Sequence, residues 1–341
     1  MLIAGDIGGT KTDLAIYSSE AGPHAPLAQT EVRSADYPSL QAVVQQFLAE
    51  VKLPVEVGSF DVAGPVIDGR VKTTNLPWAM DEGTLARDLA LESVYLMNDL
   101  EAVARAVPIL RPDDVVTLNE GRAVERGPIA IIAPGTGLGE SFLVWDGEQY
   151  RAHGSEGGHS DFAPTNARQI GLLDHLLGRF GHVSFERVCS GIGVPNIYDY
   201  LREKERIPES PEVAAEIAAA KDRTRAILDA ADDPGRPSEL CRATVETLIS
   251  ILGSEAGNLA VKVLATGGIY MAGGIAVRLL GALREPLFME AFKRKGRFRD
   301  LMASMPIHLI TTRAALAGAA AYGLERLREA SAKPKAERIS S

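Results

Sequence analysis

Cysteine is scarce in this 341-residue sequence, which contains only Cys189 and Cys241. Two cysteines are too few for a disulfide scaffold or a four-cysteine zinc site, so we expect two buried free thiols in a reducing cytoplasm. Long apolar runs are also missing, because none reaches the ~20 residues that a membrane-spanning helix needs. No basic leader precedes the first apolar segment, so the sequence indicates no secretory signal.

Positive charge is in the minority. The chain carries 36 Lys and Arg against 45 Asp and Glu, a net charge of −9. This excess argues against general binding to nucleic acids or anionic membranes. An anionic ligand then needs a local positive field, such as a loop of backbone N–H groups, a lysine or a metal ion. The length exceeds that at which single cores usually stop growing, so we expect two domains.

Three common phosphate-binding signatures are absent. The sequence has no G-x-x-x-x-G-K-[ST] loop, which excludes a P-loop. It has no G-x-G-x-x-G that opens a helix after a strand, which argues against a dinucleotide fold. The motif set of protein kinases is missing as well.

Two stretches, Leu2–Tyr17 and Ile129–Val144, are built alike. Each is an apolar run, a tight Gly/Thr turn and a second apolar run, which predicts a β-hairpin. Glycines in such a turn let successive N–H groups point into one concavity and hold an anion. Two such loops, so far apart in the chain, predict a polyphosphate held from two lobes. A third glycine turn, Ala272-Gly273-Gly274, follows another apolar run.

Apolar periodicity divides the chain into segments. We predict strands over 2–8, 12–18, 28–34, 57–63, 69–74, 93–98 and 307–310, and a strand that runs into a glycine turn over 269–275. We predict helices over 39–51, 81–91, 99–110, 238–265 and 313–330, and a surface helix with a loop over 205–238. The predicted domains are a small α/β domain over 1–110 plus 311–330, a large α/β domain over 111–310, and a disordered tail over 331–341.

The glycine motifs together resemble the actin–hexokinase–Hsp70 superfamily. That resemblance implies an α/β fold of two lobes, actin/hexokinase-like and ribonuclease H-like, with mixed sheets flanked by helices and ATP in a central cleft. It implies phosphate and nucleotide contacts at Asp6, Gly8, Gly9, Thr10, Lys11, Gly135, Thr136, Gly137, Gly139, Gly273 and Gly274. By this analogy Asp6 holds Mg²⁺ through water, or else it only closes its hairpin. Lys11 offers a point charge to the phosphates or faces solvent.

Polar clusters between these loops suit an acceptor with many hydroxyl groups. They lie at 73–78, 98–99, 154–162 and 182–187. A sugar hydroxyl both donates and accepts, so its recognition favours Asn, Asp, Glu and His. Asp99 is the candidate general base, because a carboxylate that takes the proton of an alcohol assists its attack on phosphorus. An unperturbed Asp, with a pKa of ~3.9, is ionised at neutral pH.

The motifs with these clusters resemble bacterial glucokinase over about residues 1–325, in the zinc-free branch that lacks the sister group's cysteine cluster. The resemblance implies a cytoplasmic, homodimeric enzyme of glycolysis that uses ATP and Mg²⁺ to phosphorylate glucose at the 6-hydroxyl. It makes Asp99 the base and assigns glucose contacts to Asn98, Asp99, Glu156, His159 and Glu186. Asn75 and Thr74 are further pocket candidates. Lys11 and Glu140 depart from the family pattern, and Glu140 either weakens nucleotide binding or points away.

Each polar motif also has a plain structural interpretation. Asn98 and Asp99 suit the cap of a helix that starts at Leu100. Glu156 and His159 have the spacing of a metal-binding helix, but two intervening glycines disfavour that helix. Glu186 suits the first turn of a helix capped by Ser184.

Three rival functions stay open. In the first, the chain is a kinase whose acceptor is another hexose, such as mannose or N-acetylglucosamine. Alternatively, the chain is a sugar-responsive regulator, although its first hairpin begins at residue 2 and leaves no room for a DNA-binding domain ahead of it. A catalytically silent sugar sensor is the third, and the retained Asp99 argues against it.

Overall fold

The computed structural model describes residues 1–73 and 76–332. The strands are β1 (Leu2–Ile7), β2 (Lys11–Tyr17), β3 (Ala28–Arg33), β4 (Val57–Val62), β5 (Arg70–Lys72), β6 (Ala79–Asp81), β7 (Ser93–Asn98), β8 (Val115–Asn119), β9 (Ile129–Pro134), β10 (Leu138–Trp145), β11 (Tyr150–Ser155), β12 (Gly268–Met271) and β13 (Ile307–Ile310). The segment 205–238, predicted as one surface helix and a loop, contains two helices, which Ser210 and Asp222 cap through their side chains.

The α-helices are α1 (Leu40–Val51), α2 (Glu82–Asp88), α3 (Asp99–Ala106), α4 (Ala167–Phe180), α5 (Gly193–Tyr200), α6 (Pro211–Ala219), α7 (Arg223–Asp232), α8 (Glu239–Val263), α9 (Gly274–Arg278), α10 (Leu280–Arg284), α11 (Pro286–Lys293), α12 (Arg299–Ser304) and α13 (Ala314–Ala332). Single turns of 3₁₀-helix lie at Ser34–Asp36, Val107–Ile109, Pro112–Asp114, Gly157–His159 and Gly296–Phe298, and a π-helical turn at Leu201–Glu205. No helix among residues 1–73 and 76–332 is long and apolar enough to cross a membrane.

The chain folds into two compact units. Unit 1 comprises Met1–Arg111, Tyr150–Gly154 and the chain from Thr312 onward, and unit 2 comprises Pro112–Gln149 and Ser155–Thr311. The segment Tyr150–Gly154, which the sequence places in the large domain, is grouped with unit 1.

Unit 1 is built on a mixed sheet with strand order β3-β2-β1-β4-β7. Strands β1, β4 and β7 are parallel, whereas β2 and β3 are antiparallel to their neighbours. One face of the sheet packs on an apolar cluster with α1 and α2, and the other face packs on a cluster with α3 and α13. The parallel strands end at one edge, where open α/β sheets commonly bind ligands.

Unit 2 contains a second mixed sheet, in which its strands run in the order β10-β9-β12-β13-β8. The long helix α8 is buried along most of its length, as expected of a helix that is apolar on nearly every side. It packs on α11, α7 and α5, and it anchors the unit's apolar core. The predicted α/β class, with mixed sheets flanked by helices, is confirmed.

Candidate active site

The first glycine hairpin is a loop between β1 and β2 that several hydrogen bonds hold in place. The Gly8 N–H donates to the Lys11 carbonyl at 2.9 Å. A Cβ at Gly8 would lie 2.9 Å from that same oxygen, which requires glycine there. Buried Ser34 ties the loop down, because its hydroxyl donates to the Gly8 carbonyl at 2.7 Å and its N–H donates to the Thr10 carbonyl at 3.1 Å. Thr10 itself is exposed and available to a ligand.

The side chain of Lys11 has an ion-pair partner on a neighbouring strand. Its ammonium forms an ion pair with Glu31 on β3. Arg313 also binds Glu31, at 2.7 Å, and binds Asp13 of β2 at the same distance. The lysine side chain is half exposed, so a phosphate would have to compete with Glu31 for it.

Three aspartates gather where the parallel strands of unit 1 end. Asp6 on β1 is the register partner of Asp61 on β4, and Asp99 follows β7 directly. Burial raises the pKa of Asp6, and the negative charge of Asp13 adds to this. Burial raises the pKa of Asp61 far more, with the charges of Asp6 and Asp99 acting in the same direction. The sequence analysis missed Asp61.

Asp99 stands at the first position of α3. Asn98 caps this helix, because its Oδ1 accepts from the Leu100 N–H at 2.9 Å. Asp99 Oδ1 accepts from the same N–H at 2.8 Å. Asn98 also donates from Nδ2 to the Gly64 carbonyl at 3.1 Å, which fixes its amide. The capping interpretation of this pair is therefore correct, and the Leu100 N–H uses only one of the two Asp99 carboxyl oxygens.

The pKa of Asp99 differs from the value expected for a free side chain. Burial raises it to about 6, and the charge of Asp6 adds to the effect, while the Leu100 N–H opposes it. At neutral pH the carboxyl is still mostly ionised. Its basicity is nevertheless closer to the operating pH, which favours proton transfer from an alcohol.

The second glycine loop, between β9 and β10, is held from within unit 2. The Gly135 N–H donates to the Gly137 carbonyl at 2.9 Å. The Gly191 N–H donates to the Gly135 carbonyl at 2.8 Å, and the Ile192 N–H donates to the Thr136 carbonyl at 3.2 Å. These bonds hold the loop's carbonyl groups, and the Thr136 side chain is exposed.

The third glycine turn lies beside the second loop. Gly273 has a φ of 89°, and a Cβ there would lie 2.5 Å from the Pro134 carbonyl. Only glycine suits both the dihedral and the space. Gly274 is exposed and begins α9, so its N–H belongs to the unsatisfied end of that helix.

Glu186, a predicted sugar-binding residue, also contacts the second glycine loop. Its Oε2 accepts from the Leu138 N–H at 3.1 Å, and a Cβ on Gly137 would lie 2.4 Å from that oxygen. The Glu186 N–H donates to the Gly158 carbonyl at 2.9 Å. No helix begins at Ser184, since the next one is α5 at Gly193, so the helix-turn interpretation of Glu186 is wrong.

Glu156 precedes the single turn Gly157–His159, His159 ends it, and both side chains are exposed. The His159 Nε2 lies 3.9 Å from Glu156 Oε2. The glycines between them are required by packing, because a Cβ on Gly158 would lie 2.1 Å from the Leu138 carbonyl. The turn therefore packs on β10, and the exposed side chains of Glu156 and His159 are accessible to a ligand.

Glu140 points away from the second loop and into the core of unit 2. It is 2% exposed and interacts with Glu255 of α8, which is fully buried. Burial raises the pKa of Glu140 to about 8, and the charge of Glu255 contributes. The sequence analysis predicted that Glu140 either weakens nucleotide binding or points away, and the structure shows that it points away.

A cation site in unit 1 would have to include ligands from outside the protein. The described part of the chain holds no group of three or more His, Cys, Asp or Glu side chains that suits a metal ion. Mg²⁺ is commonly held by one or two carboxylates, with substrate phosphates and water completing its shell. Asp6 and the partnerless buried oxygens of Asp61 fit that requirement.

The structure thus groups the predicted residues within each unit. In unit 1 it brings Asp6, Gly8, Gly9, Thr10 and Lys11 to one hairpin and places Asn98 and Asp99 two strands from β1. In unit 2 it brings together Gly135, Thr136, Gly137, Gly139, Glu156, His159, Glu186, Gly273 and Gly274. Thr74 and Asn75 lie outside the described residues. Asp61 and Ser34 have no distinctive sequence motif, since each is a single polar residue near or within an apolar strand.

Comparison with known proteins decides the family. The sequence pattern of the family described as Glucokinase matches residues 3–326. The chain belongs to the glucokinase family. It is 39% identical over 324 residues to a glucokinase of Nostoc sp. strain PCC 7120, covering 91% of this chain and 94% of the relative. Family membership makes this chain a hexokinase-type phosphotransferase.

Solved structures agree with this assignment. The crystal structure of a glucokinase from an Antarctic psychrotroph is 30% identical and superimposes with a TM-score of 0.81, covering 95% of this chain and 98% of that one. A ROK family glucokinase from Streptomyces griseus, solved with glucose and AMPPNP, is 20% identical with a TM-score of 0.63, covering 95% and 99%. The second likeness shows the shared fold.

Proposed function

We propose that this glucokinase-family chain transfers the γ-phosphoryl group of ATP to the 6-hydroxyl of glucose, with Asp99 as the general base. The observation that carries the proposal is the environment of Asp99. Its carboxyl is fixed at the start of α3, largely buried, and has a pKa of about 6. A carboxylate so placed and so tuned suits the removal of a proton from an alcohol.

The candidate contacts of the acceptor are the polar residues that the sequence motifs single out. We assign Asn98 and Asp99 of unit 1, with Glu156, His159 and Glu186 of unit 2, to the glucose hydroxyls; Thr74 and Asn75 are further candidates. Because each hydroxyl both donates and accepts, this mixture of acids, an amide and an imidazole fits a sugar. Where a bound sugar covers these polar groups, the site rejects analogues that leave the groups unpaired. The S. griseus neighbour was solved with glucose, which supports this acceptor.

The nucleotide phosphates are assigned to the glycine loops. In unit 1 these are Gly8, Gly9, Thr10 and Lys11, with Asp6 for Mg²⁺, and in unit 2 they are Gly135, Thr136, Gly137, Gly139, Gly273 and Gly274. A bound Mg²⁺ would neutralise charge on the phosphates during transfer. The protein's own task is to hold the acceptor oxygen in line and to accept its proton at Asp99. The exclusion of water by a closed site prevents wasteful hydrolysis of ATP.

A coupled assay with purified protein tests the proposal. ATP should support phosphorylation of glucose with a kcat/KM well above those for mannose and N-acetylglucosamine. A higher value for another hexose would replace glucose with that sugar as the substrate. Sugar binding without any phosphorylation would show a sensor in place of a kinase.

The proposal includes a homodimer and a cytoplasmic, glycolytic setting. Light scattering coupled to size-exclusion chromatography tests the first. A mass near twice the 36.4 kDa chain is expected, and a mass equal to one chain would contradict it.

A further inference from the structure

Asp61 is a buried acid without a partner. Its side chain is 0% exposed, and neither carboxyl oxygen has a hydrogen-bond partner among the described residues. Burying a polar group without a partner costs free energy, and native proteins seldom do it without a functional reason or an ion that completes the site. An apolar residue would fill the same position in β4 at lower cost.

The register of the sheet places this acid beside Asp6. Asp6 and Asp61 are paired in parallel strands β1 and β4, so their side chains leave the same face of the sheet. That face is the one covered by α3 and α13, as shown by Leu2 and Val57, which are paired in the same register. The two carboxyl groups interact, although no bond between them has ordinary hydrogen-bond geometry.

The charges around Asp61 are negative, so they disfavour its ionised carboxylate. Those that act on its carboxyl most strongly are those of Asp6 and Asp99. Arg313, whose charge acts on the neighbouring Asp6, forms its own ion pairs with Asp13 and Glu31. The charge of Arg313 reaches Asp6, but no described cation acts on Asp61 or Asp99, and a divalent cation would supply the missing positive charge.

We infer that Asp61 is the second carboxylate of the cation site that begins with Asp6. This inference rests on the proposed kinase function, because the cation is the one that accompanies the nucleotide phosphates. The site would use two carboxylates from adjacent strands, with phosphate and water oxygens as the remaining ligands. Asp61 would thus fix the position of the cation relative to Asp99.

Mn²⁺ serves as the probe. Its free form has an electron paramagnetic resonance signal that disappears on binding, and the titration is made on the protein with ADP and glucose, corrected for binding to ADP alone. Asp61→Asn keeps the shape and removes the charge, and we expect it to weaken Mn²⁺ binding about tenfold or more. Asp13→Asn is the matched control, because Asp13 is the other register partner of Asp6 but is paired with Arg313. The control should change Mn²⁺ affinity less than about threefold.

Stability distinguishes this role from a structural one. Asp61→Asn removes a buried unpaired acid, so the metal-free protein in EDTA should melt at the same or a higher temperature than the wild type. A structural Asp61 would instead give a lower melting temperature and unchanged Mn²⁺ affinity, which would overturn the inference. If Asp61→Asn does not fold, Asp61→Ser is used with the same criteria.

Different results would overturn the role of Asp61 and the proposed kinase function. The ADP complex does not turn over, so the titration reports on Asp61 whatever the kinase assay gives. Unchanged Mn²⁺ affinity in Asp61→Asn, with normal glucose phosphorylation by the wild type, overturns only the role of Asp61. Absence of glucose phosphorylation by the wild type overturns the function.

Discussion

The carboxylate of Glu186 accepts a hydrogen bond from the Leu138 N–H at 3.1 Å, and so a predicted sugar-binding residue also supports the second phosphate loop. Gly137, directly before Leu138, packs closely on the same carboxylate, so a Cβ at this position would displace the Glu186 side chain. Under the proposed assignments, this one side chain couples the binding of glucose to the binding of the nucleotide.

That relationship predicts the kinetics of Glu186 variants. Glu186→Ala should raise the KM for glucose and also the KM for ATP, because the loop loses its support. Glu186→Gln retains a hydrogen-bond acceptor and should raise both constants less. Steady-state kinetics with each substrate varied in turn measures this. A rise confined to glucose would show that Glu186 contacts the sugar alone.

The pKa of Asp99 predicts the pH profile of the reaction. Activity requires the ionised carboxylate, and burial has raised its pKa from 3.8 to about 6. We therefore expect kcat/KM for glucose to fall about tenfold per pH unit below that value. The profile is recorded from pH 5 to 8 with the coupling enzymes in excess. A flat profile down to pH 5 would mean that Asp99 is not the base or that its pKa is unshifted.

Glu140 predicts how stability changes with pH. Its pKa is raised from 4.5 to about 8 in the folded chain, so the protonated form is favoured on folding. This contribution is fully present below the unfolded pKa and is lost as the pH rises from 4.5 toward 8. Glu140→Gln removes that dependence. The melting temperature of the variant relative to the wild type should therefore increase from pH 5 to pH 8, and parallel curves would contradict the assignment.

Gly273 and Gly274 form a matched pair for testing the third glycine turn. Gly273→Ala introduces a Cβ 2.5 Å from the Pro134 carbonyl at a φ of 89°, so we expect a loss of about 1–3 kcal/mol of stability and weaker nucleotide binding. Gly274→Ala has nothing within 4 Å of its Cβ and should fold like the wild type. Thermal melts with and without ADP compare the two. Equal melting temperatures would show that the turn relaxes without cost.

The sequence predicted the elements of this fold well where a pattern was long. The first hairpin, the helix after Ser39 and the long α8 follow from apolar periodicity and capping residues. The segment 205–238 was harder, because an alanine-rich polar stretch does not reveal the break between α6 and α7. That break is made by the cap at Asp222, a single side-chain contact to the Arg225 N–H.

The site was predictable where residues occur in motifs, as with Asn98-Asp99 or the Glu156–His159 turn. Asp61 was not, because it lies in a short apolar strand and its significance depends on the register with β1. Ser34 was missed for a similar reason, since its hydroxyl donates to Gly8, which lies 26 residues earlier in the chain. The direction of the Glu140 side chain could not be predicted either, because it depends on which elements pack against β10. Such tertiary relations are not encoded by local periodicity.

The most direct test of the account is the turnover of Asp99→Asn. The change preserves the shape of the side chain and its acceptor for the Leu100 N–H, but it removes the base. We predict a loss of about 10²- to 10⁴-fold in kcat, with glucose affinity by calorimetry changed only a few-fold. A kcat within a few-fold of the wild type would contradict the central claim that Asp99 accepts the proton of the attacking hydroxyl.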